Sequence, residues 1–264
     1  LTAAVSAPVY YLRLRETTTD DYDAHVTFTL RLLKRDLPPT FILAHPLLEL
    51  MIGFLYWAGR GHVDIFEGAA FIQVAAQVAA ALVLYFWIGP LGGKFGQAKR
   101  IFWSISLTLV APVMLLWFID RQFYFGYIGL ASYHNPTVHL LRPFALLGFI
   151  FAARAFRFPR SPAWMVLLCA GVTLAGMLTK PNYGIALLPA CAVMAAWFLW
   201  KRRALDWPML IWGQAVPILA ALLYQAVLIY WIPDAGDPGV LLAPFAAEAY
   251  WSDYLPLKFL LSIL

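Results

Sequence analysis

The stretch PAWMVLLCAGVTLAGMLTKPNYGIALLPACAVMAAWFLWKRR, residues 162–203, decides the fold. It holds two apolar runs, 162–178 and 183–200, each near the ~20 residues that cross a hydrocarbon core as a helix. Thr179-Lys180-Pro181-Asn182 joins them, and Lys201, Arg202 and Arg203 close the second. In hydrocarbon each backbone N–H and C=O has to be bonded within its own segment, so both runs are read as helices. The length and position of the two runs make lipid the implied solvent.

Working outward, the same kind of run recurs at 67–88, 101–118, 138–153 and 208–231, which makes six complete candidate spans. The composition agrees: 62% of residues are hydrophobic and 12% charged, with a mean hydropathy of +0.73. A soluble domain is about half apolar and a quarter charged. The net charge of +5 does not point to nucleic acid, because the cations fall in short clusters between apolar runs, without a continuous basic face or a nucleic-acid motif. Cys169 and Cys191 lie inside apolar runs and give neither a disulfide framework nor a metal-ligand spacing. Shorter apolar stretches open and close the chain, Leu1 to Leu12 and Leu255 to Leu264. Both fall short of a span, and they are read as partial helices of a longer protein truncated at both ends.

Charge sets the expected orientation. Lys94, Lys99 and Arg100 form one cluster, Arg154, Arg157 and Arg160 a second, and Lys201, Arg202 and Arg203 a third. They occupy every second connection, so the positive-inside rule puts all three in the cytoplasm. The connections at 13–66, 119–137, 179–182 and 232–254 then lie outside. The expected architecture is all-α: a single polytopic transmembrane helical bundle over 1–264, multi-pass in the plasma membrane. Surface-lying helices occupy a long first extracytoplasmic loop, 13–66, and transmembrane helices with short loops fill 67–264. Within that loop Thr19 to Arg35 reads as a helix. Thr19 or Asp20 is its N-cap, acids fill its first turn, and Val26, Leu30 and Leu33 share one face. The apolar stretch from His45 to Ala58 is only about a dozen residues long and suits a re-entrant or interfacial helix.

The polar residues worth attention sit on the extracytoplasmic side. Asp20-Asp21-Tyr22-Asp23-Ala24-His25 puts three carboxylates and an imidazole on one segment, with Asp21 and His25 four apart on a shared helical face. The competing reading is a solvated helix N-terminus, where the dipole favours acids. The next outer loop carries Asp120, Arg121, Tyr133, His134, Asn135, Pro136, His139 and Arg142. Arg142 already lies inside the following span, where an ionisable group is either functional or an interfacial anchor that snorkels. His134 and His139 also read as loop or capping residues, with no third ligand at metal spacing. Lys180 runs against the charge bias. With Arg142 and the histidines it would make a cationic pocket suited to a phosphate, and alone it reads as a snorkelling lysine. Tyr85, Trp87, Trp197, Trp200, Trp207, Tyr230 and Trp231 fit an interfacial belt. Tyr22, Tyr133, Tyr250 and Trp251 stand among outer polar residues as candidate sugar platforms.

The layout resembles the GT-C superfamily of polytopic glycosyltransferases that use lipid-phosphate-linked sugars. The likeness rests on Asp20 to His25 in a long first outer loop with surface-lying helices, on His134-Asn135-Pro136-Thr137 through Arg142-Pro143-Phe144, and on Leu178-Thr179-Lys180-Pro181. It implies an inverting hexosyl transfer from a polyprenyl-phosphate donor to an extracytoplasmic glycan, lipid or protein acceptor. It gives Asp21 the role of base, with Asp20 as substitute. Substrate contacts would come from His25, Tyr22, His134, His139, Arg142 and Lys180. The acidic motif lacks the Asp-Glu pair of the protein mannosyltransferases, and metal use varies across the superfamily, so a divalent metal is neither implied nor excluded. Two other classes compete. A transporter or flippase of lipid-linked saccharide would use in-span polar groups such as Gln73, Gln77, Gln214 and Gln225, although no internal repeat or mid-span charge pair accompanies them. A non-catalytic membrane assembly subunit would scatter its outer ionisable residues.

Overall fold

The computed structural model describes residues 1–16, 21–36, 46–60, 62–91, 96–109, 113–114, 124–125, 135–230, 254 and 256. These residues are overwhelmingly helical. In chain order the helices are α1 (Thr2–Glu16), α2 (Asp21–Lys34), α3 (Leu47–Ala58), α4 (Ile65–Leu91), α5 (Gln97–Leu109), α6 (Pro136–Arg157), α7 (Ala163–Thr179) and α8 (Asn182–Trp200). A π-helical segment, Met209–Ala215, then leads into α9 (Val216–Tyr230). The only strands among the described residues are two-residue pieces, Val113–Met114 paired antiparallel with Tyr124–Phe125.

Four helical stretches are long and apolar enough to cross a membrane: Ile65–Gly89, Pro136–Arg157, Asn182–Trp200 and Met209–Leu228. They match four of the six expected spans. The fifth expected span, 162–178, is α7, whose 17 residues put it at the short end of the spanning range. The sixth, 101–118, is helical only as far as Leu109, in the 13-residue α5, and its described residues Val113–Met114 form a strand instead of continuing the expected span. The apolar dozen before Ala58 is helical, as expected, and so is most of Thr19 to Arg35.

Large apolar side chains on these helices point outward. Phe71, Phe86, Trp164, Leu167, Val193 and Leu223 are each more than three-fifths exposed. In water such a surface would drive aggregation, whereas in lipid it is the natural outer face. The buried faces carry small residues instead. Ala69, Ala70, Ala76, Ala80 and Ala81 of α4 are buried, which lets backbones approach closely where no hydrophobic force gathers helices.

Each junction has a local cause. Asn135 caps α6 by accepting from Val138 N–H at 3.1 Å, with Pro136 in its first turn. Arg154 and Arg157 fill the last turn of that helix, where the dipole favours cations. Asp206 accepts from Met209 N–H at 3.2 Å, and its own N–H donates to Ala155 O at 3.0 Å. The start of the last span is thereby fastened to the end of α6. Lys201 lies over the rings of Trp197 and Trp200, at 5.0 and 4.5 Å from their centroids.

Helix α4 runs parallel to α6. Gln77 meets His139, and Trp87 stacks edge-on against Phe149 at 5.9 Å; both pairs are 62 residues apart in sequence, so the register is constant along the contact. The bundle therefore has two distinct ends. At one, Arg100 lies beside Gly89, and Arg154, Arg157 and the Lys201–Arg203 cluster gather around the Asp206–Ala155 bond. At the other, α2 and α3 pack over the first turns of α4, and Tyr22, Val26, Leu48, Ile52, Ala69 and Ile72 form one apolar cluster with Leu140 of α6.

Glycine sets the spacing between the last span and α7. A Cβ on Gly213 would lie 2.9 Å from Cys169 Sγ and 3.1 Å from its Cβ, and the latter atom has no torsion that moves it away. Gly213→Ala is expected to destabilise the protein by about 1–3 kcal/mol through overpacking, measured as a lowered thermal unfolding midpoint in detergent. Gly171→Ala, at a position open on the helix surface, leaves the midpoint unchanged or slightly raised.

Candidate functional site

The end of the bundle roofed by α2 and α3 holds a dense set of buried polar side chains. Tyr10 of α1, Gln73 and Gln77 of α4, and His139 of α6 are all inaccessible or nearly so. The Gln77 amide nitrogen donates to the Tyr10 hydroxyl at 2.9 Å and lies 2.7 Å from His139 Nδ1. Since an amide NH₂ only donates, Nδ1 is the acceptor and carries no proton in this arrangement. The Tyr10 ring meets the His139 ring edge-on at 5.4 Å and the Tyr22 ring at 6.4 Å. Two expected spans, α4 and α6, are thus joined with α1 by one polar seam, which α2 meets through the contact of the Tyr22 and Tyr10 rings. Gln73 lies one turn before Gln77 on the same face of α4, and neither of its amide atoms has a hydrogen-bond partner among the described residues.

Above the seam, His25 of α2 and Glu49 of α3 face each other. His25 Nδ1 lies 2.6 Å from Glu49 Oε1, with the imidazole side chain 16% exposed and the carboxylate side chain 2% exposed. A carboxylate so buried needs such a partner, because its desolvation is otherwise uncompensated. Thr29 bonds back to the His25 carbonyl at 2.8 Å and keeps this turn of α2 regular.

Arg142 lies one turn beyond His139 on α6. Its guanidinium donates to Thr108 O at the end of α5, at 3.2 Å, which satisfies an orphan carbonyl of that helix terminus. Arg142 also lines a cavity of about 590 Å³ between α4, α5, α6 and α8, whose walls are chiefly Ala80, Leu84, Leu107, Leu146 and Phe149. Tyr183 reaches the same cavity, and its hydroxyl is buried without a hydrogen-bond partner among the described residues. It fits against α6 because position 148 is glycine, where a Cβ would collide with that hydroxyl.

The expected site residues thus divide. Tyr22, His25, His139 and Arg142 gather at one end of the bundle. Lys180 is at the same end, half-buried just after α7. Its N–H bonds to Gly176 O, and a Cβ on Gly176 would touch Phe144 and Leu141 of α6. Asp21 begins α2, but its side chain lies outside the described residues, as do Asp20 and His134 altogether. The candidate platforms Tyr133, Tyr250 and Trp251 are outside them as well.

Three participants escaped the sequence reading. Tyr10 looked like part of a stray apolar run, and Gln77 was weighed only for transport. Glu49 did carry a signal: it is the single acid in the apolar dozen of α3, the same anomaly that marked Arg142. The remaining in-span amides serve packing. Gln214 bonds Gly148 O at 2.9 Å and accepts from Thr173 at 3.2 Å, while Gln225 donates to Met177 O at 3.4 Å. Among the described residues no three His, Cys, Asp or Glu side chains cluster at metal-binding spacing.

The seam's central bond is testable. Gln77→Leu leaves His139 Nδ1 without its donor, and a buried polar group stranded in this way costs about 1–3 kcal/mol. The thermal midpoint in detergent falls accordingly. In a double-mutant cycle with His139→Leu, the second substitution costs less than it does alone.

Comparison with known proteins gives no match: no family model, no curated protein and no solved structure is similar to this chain.

Proposed function

We propose that this protein is a membrane glycosyltransferase that moves a sugar from a polyprenyl-phosphate donor to an acceptor on the extracytoplasmic face. The observation that carries the reading is the cavity at Arg142. It is walled by apolar side chains, and a guanidinium and a buried phenol are its chief polar groups. An amphiphile with an apolar tail and an anionic head matches that distribution, and a guanidinium recognises phosphate through paired donors. The departing polyprenyl phosphate gains negative charge as the glycosidic bond breaks, and a fixed cation in a low-dielectric site stabilises that charge most. Lys180 stands at the same end of the bundle to supplement it.

The GT-C resemblance supplies the other half of the reaction, a proton acceptor on the first outer loop. Its candidate, Asp21, opens α2 one turn before His25, with Asp20 adjacent in sequence. Orientation follows from charge. The end carrying Arg154, Arg157 and Lys201–Arg203 belongs in the cytoplasm by the positive-inside rule, which puts α2, α3 and the polar seam outside. The acceptor is then an extracytoplasmic glycan, lipid or protein, and the protein works as a multi-pass component of the plasma membrane.

A flippase of lipid-linked saccharide is the second reading. The observation in its favour is the π-helical segment Met209–Ala215 within a candidate span, since such irregular turns gather at functional sites. The amide there, Gln214, is however consumed by Gly148 and Thr173.

The test uses the full chain in liposomes with a radiolabelled polyprenyl-phosphate sugar. Transfer to acceptor with release of free polyprenyl phosphate is expected. Arg142→Gln lowers kcat/KM on the order of 10²-fold, and Arg142→Lys regains part of it. Label that crosses the bilayer still attached to its lipid, without transfer, would overturn the enzyme reading in favour of the flippase.

A further inference from the structure

We infer that His25 is the group that accepts the acceptor's proton, and that Glu49 is the positioning residue that holds it ready. The inference rests on the glycosyl-transfer reading and gives the proton-accepting role to His25 of the first outer loop in place of Asp21, the candidate named above.

Three observations carry it. First, His25 Nδ1 and Glu49 Oε1 are 2.6 Å apart. Against an ionised carboxylate, which only accepts, Nδ1 is the donor, so whenever the ring is neutral its lone pair is on Nε2. Second, burial is asymmetric within the pair. Glu49 is 2% exposed while His25 is 16% exposed, so the carboxylate faces the core and the imidazole reaches the surface. Third, the pair bridges two helices with no other reason to meet at a charged contact. Helices α2 and α3 pack through Tyr22, Val26, Leu48 and Ile52, and an apolar residue at 49 would serve that packing without the cost of burying an ion. The dyad lies one turn along α2 from Tyr22, whose ring approaches Tyr10 and, through it, His139. It therefore lies at the same end of the bundle as Arg142.

The step balances without a further reactant. A bond forms between the acceptor oxygen and the anomeric carbon while the bond from that carbon to the phosphate oxygen breaks. The electron pair of the broken bond leaves with the polyprenyl phosphate. The acceptor's proton passes to the Nε2 lone pair, and the resulting imidazolium is held against the Glu49 carboxylate until water takes the proton back.

The experiment measures steady-state transfer by the reconstituted full chain, with folding checked by size exclusion and thermal unfolding. General-base assistance contributes about 10²–10⁴-fold. His25→Gln is expected to lower kcat by about 10²-fold or more, with KM for the donor nearly unchanged. Glu49→Gln falls in the same direction by a smaller factor, and Glu49→Asp recovers part of the loss. The double variant His25→Gln/Glu49→Gln is no slower than His25→Gln alone, because Glu49 acts only through the ring. A folded Glu49→Gln protein with wild-type kcat overturns the proposal, as does a double variant that loses the product of the two single effects. If Glu49→Gln does not fold, His25→Gln decides, and wild-type kcat there is equally fatal. A wild-type protein that transfers no sugar overturns the glycosyltransferase reading and this inference with it, whereas an active wild type with indifferent variants sinks the dyad alone.

Discussion

In hydrocarbon a polar group has no water to fall back on, and this constraint organises the molecule around the contact of Gln77 with His139. Each side chain is buried in an apolar bundle, and each is tolerable there because the other is 2.7 Å away. The pair fixes α4 and α6 side by side in parallel register, a relation their apolar surfaces alone would specify poorly, since Leu against Leu is little different from Leu against lipid. The Tyr10 hydroxyl draws α1 into the same network. Alanines along α4 then let the neighbouring backbones close up.

Once α4 and α6 are locked, the rest of the polar end follows. Arg142 is presented one turn beyond His139, at a height where the open end of α5 offers it the Thr108 carbonyl. The gap left between α4, α5 and α6 becomes an apolar cavity with that cation on its wall. Helices α2 and α3 close over the first turns of α4, and the side chains at their own contact include one buried carboxylate with one imidazole to hold it. The far end of the bundle has a different economy. Its cations lie at helix C-termini and over aromatic rings, where dipole and π-face favour them without any need for anionic partners.

Much of the fold was legible because hydrophobic length is a one-dimensional property. The runs at 67–88, 138–153, 183–200 and 208–231 became helices with nearly the expected bounds, and the apolar dozen ending at Ala58 became α3. The short α5 was less legible, since the run at 101–118 has the composition of a span, yet its described helix ends at Leu109. Of the site, Tyr22, His25, His139, Arg142 and Lys180 were marked in advance by being ionisable or aromatic beside an apolar run. The roles of Tyr10, Gln77 and Glu49 were not legible, Gln77 being named only for transport, because their significance lies in whom they meet, and their partners are 24 to 67 residues away.

The sequence by itself determined that the chain is helical, that its solvent is lipid, and that its cations alternate between connections. Each of these follows from local composition and from the rule that backbone polar groups be satisfied within a segment. Only the tertiary structure decided that α4 and α6 run in parallel register, that Arg142 lines a cavity shared with Tyr183, and that His25 is held by a glutamate from another helix. Those are relations between helix faces. In an apolar medium such faces are chosen by a few buried hydrogen bonds and by close packing at small residues, and neither leaves a periodic trace along the chain.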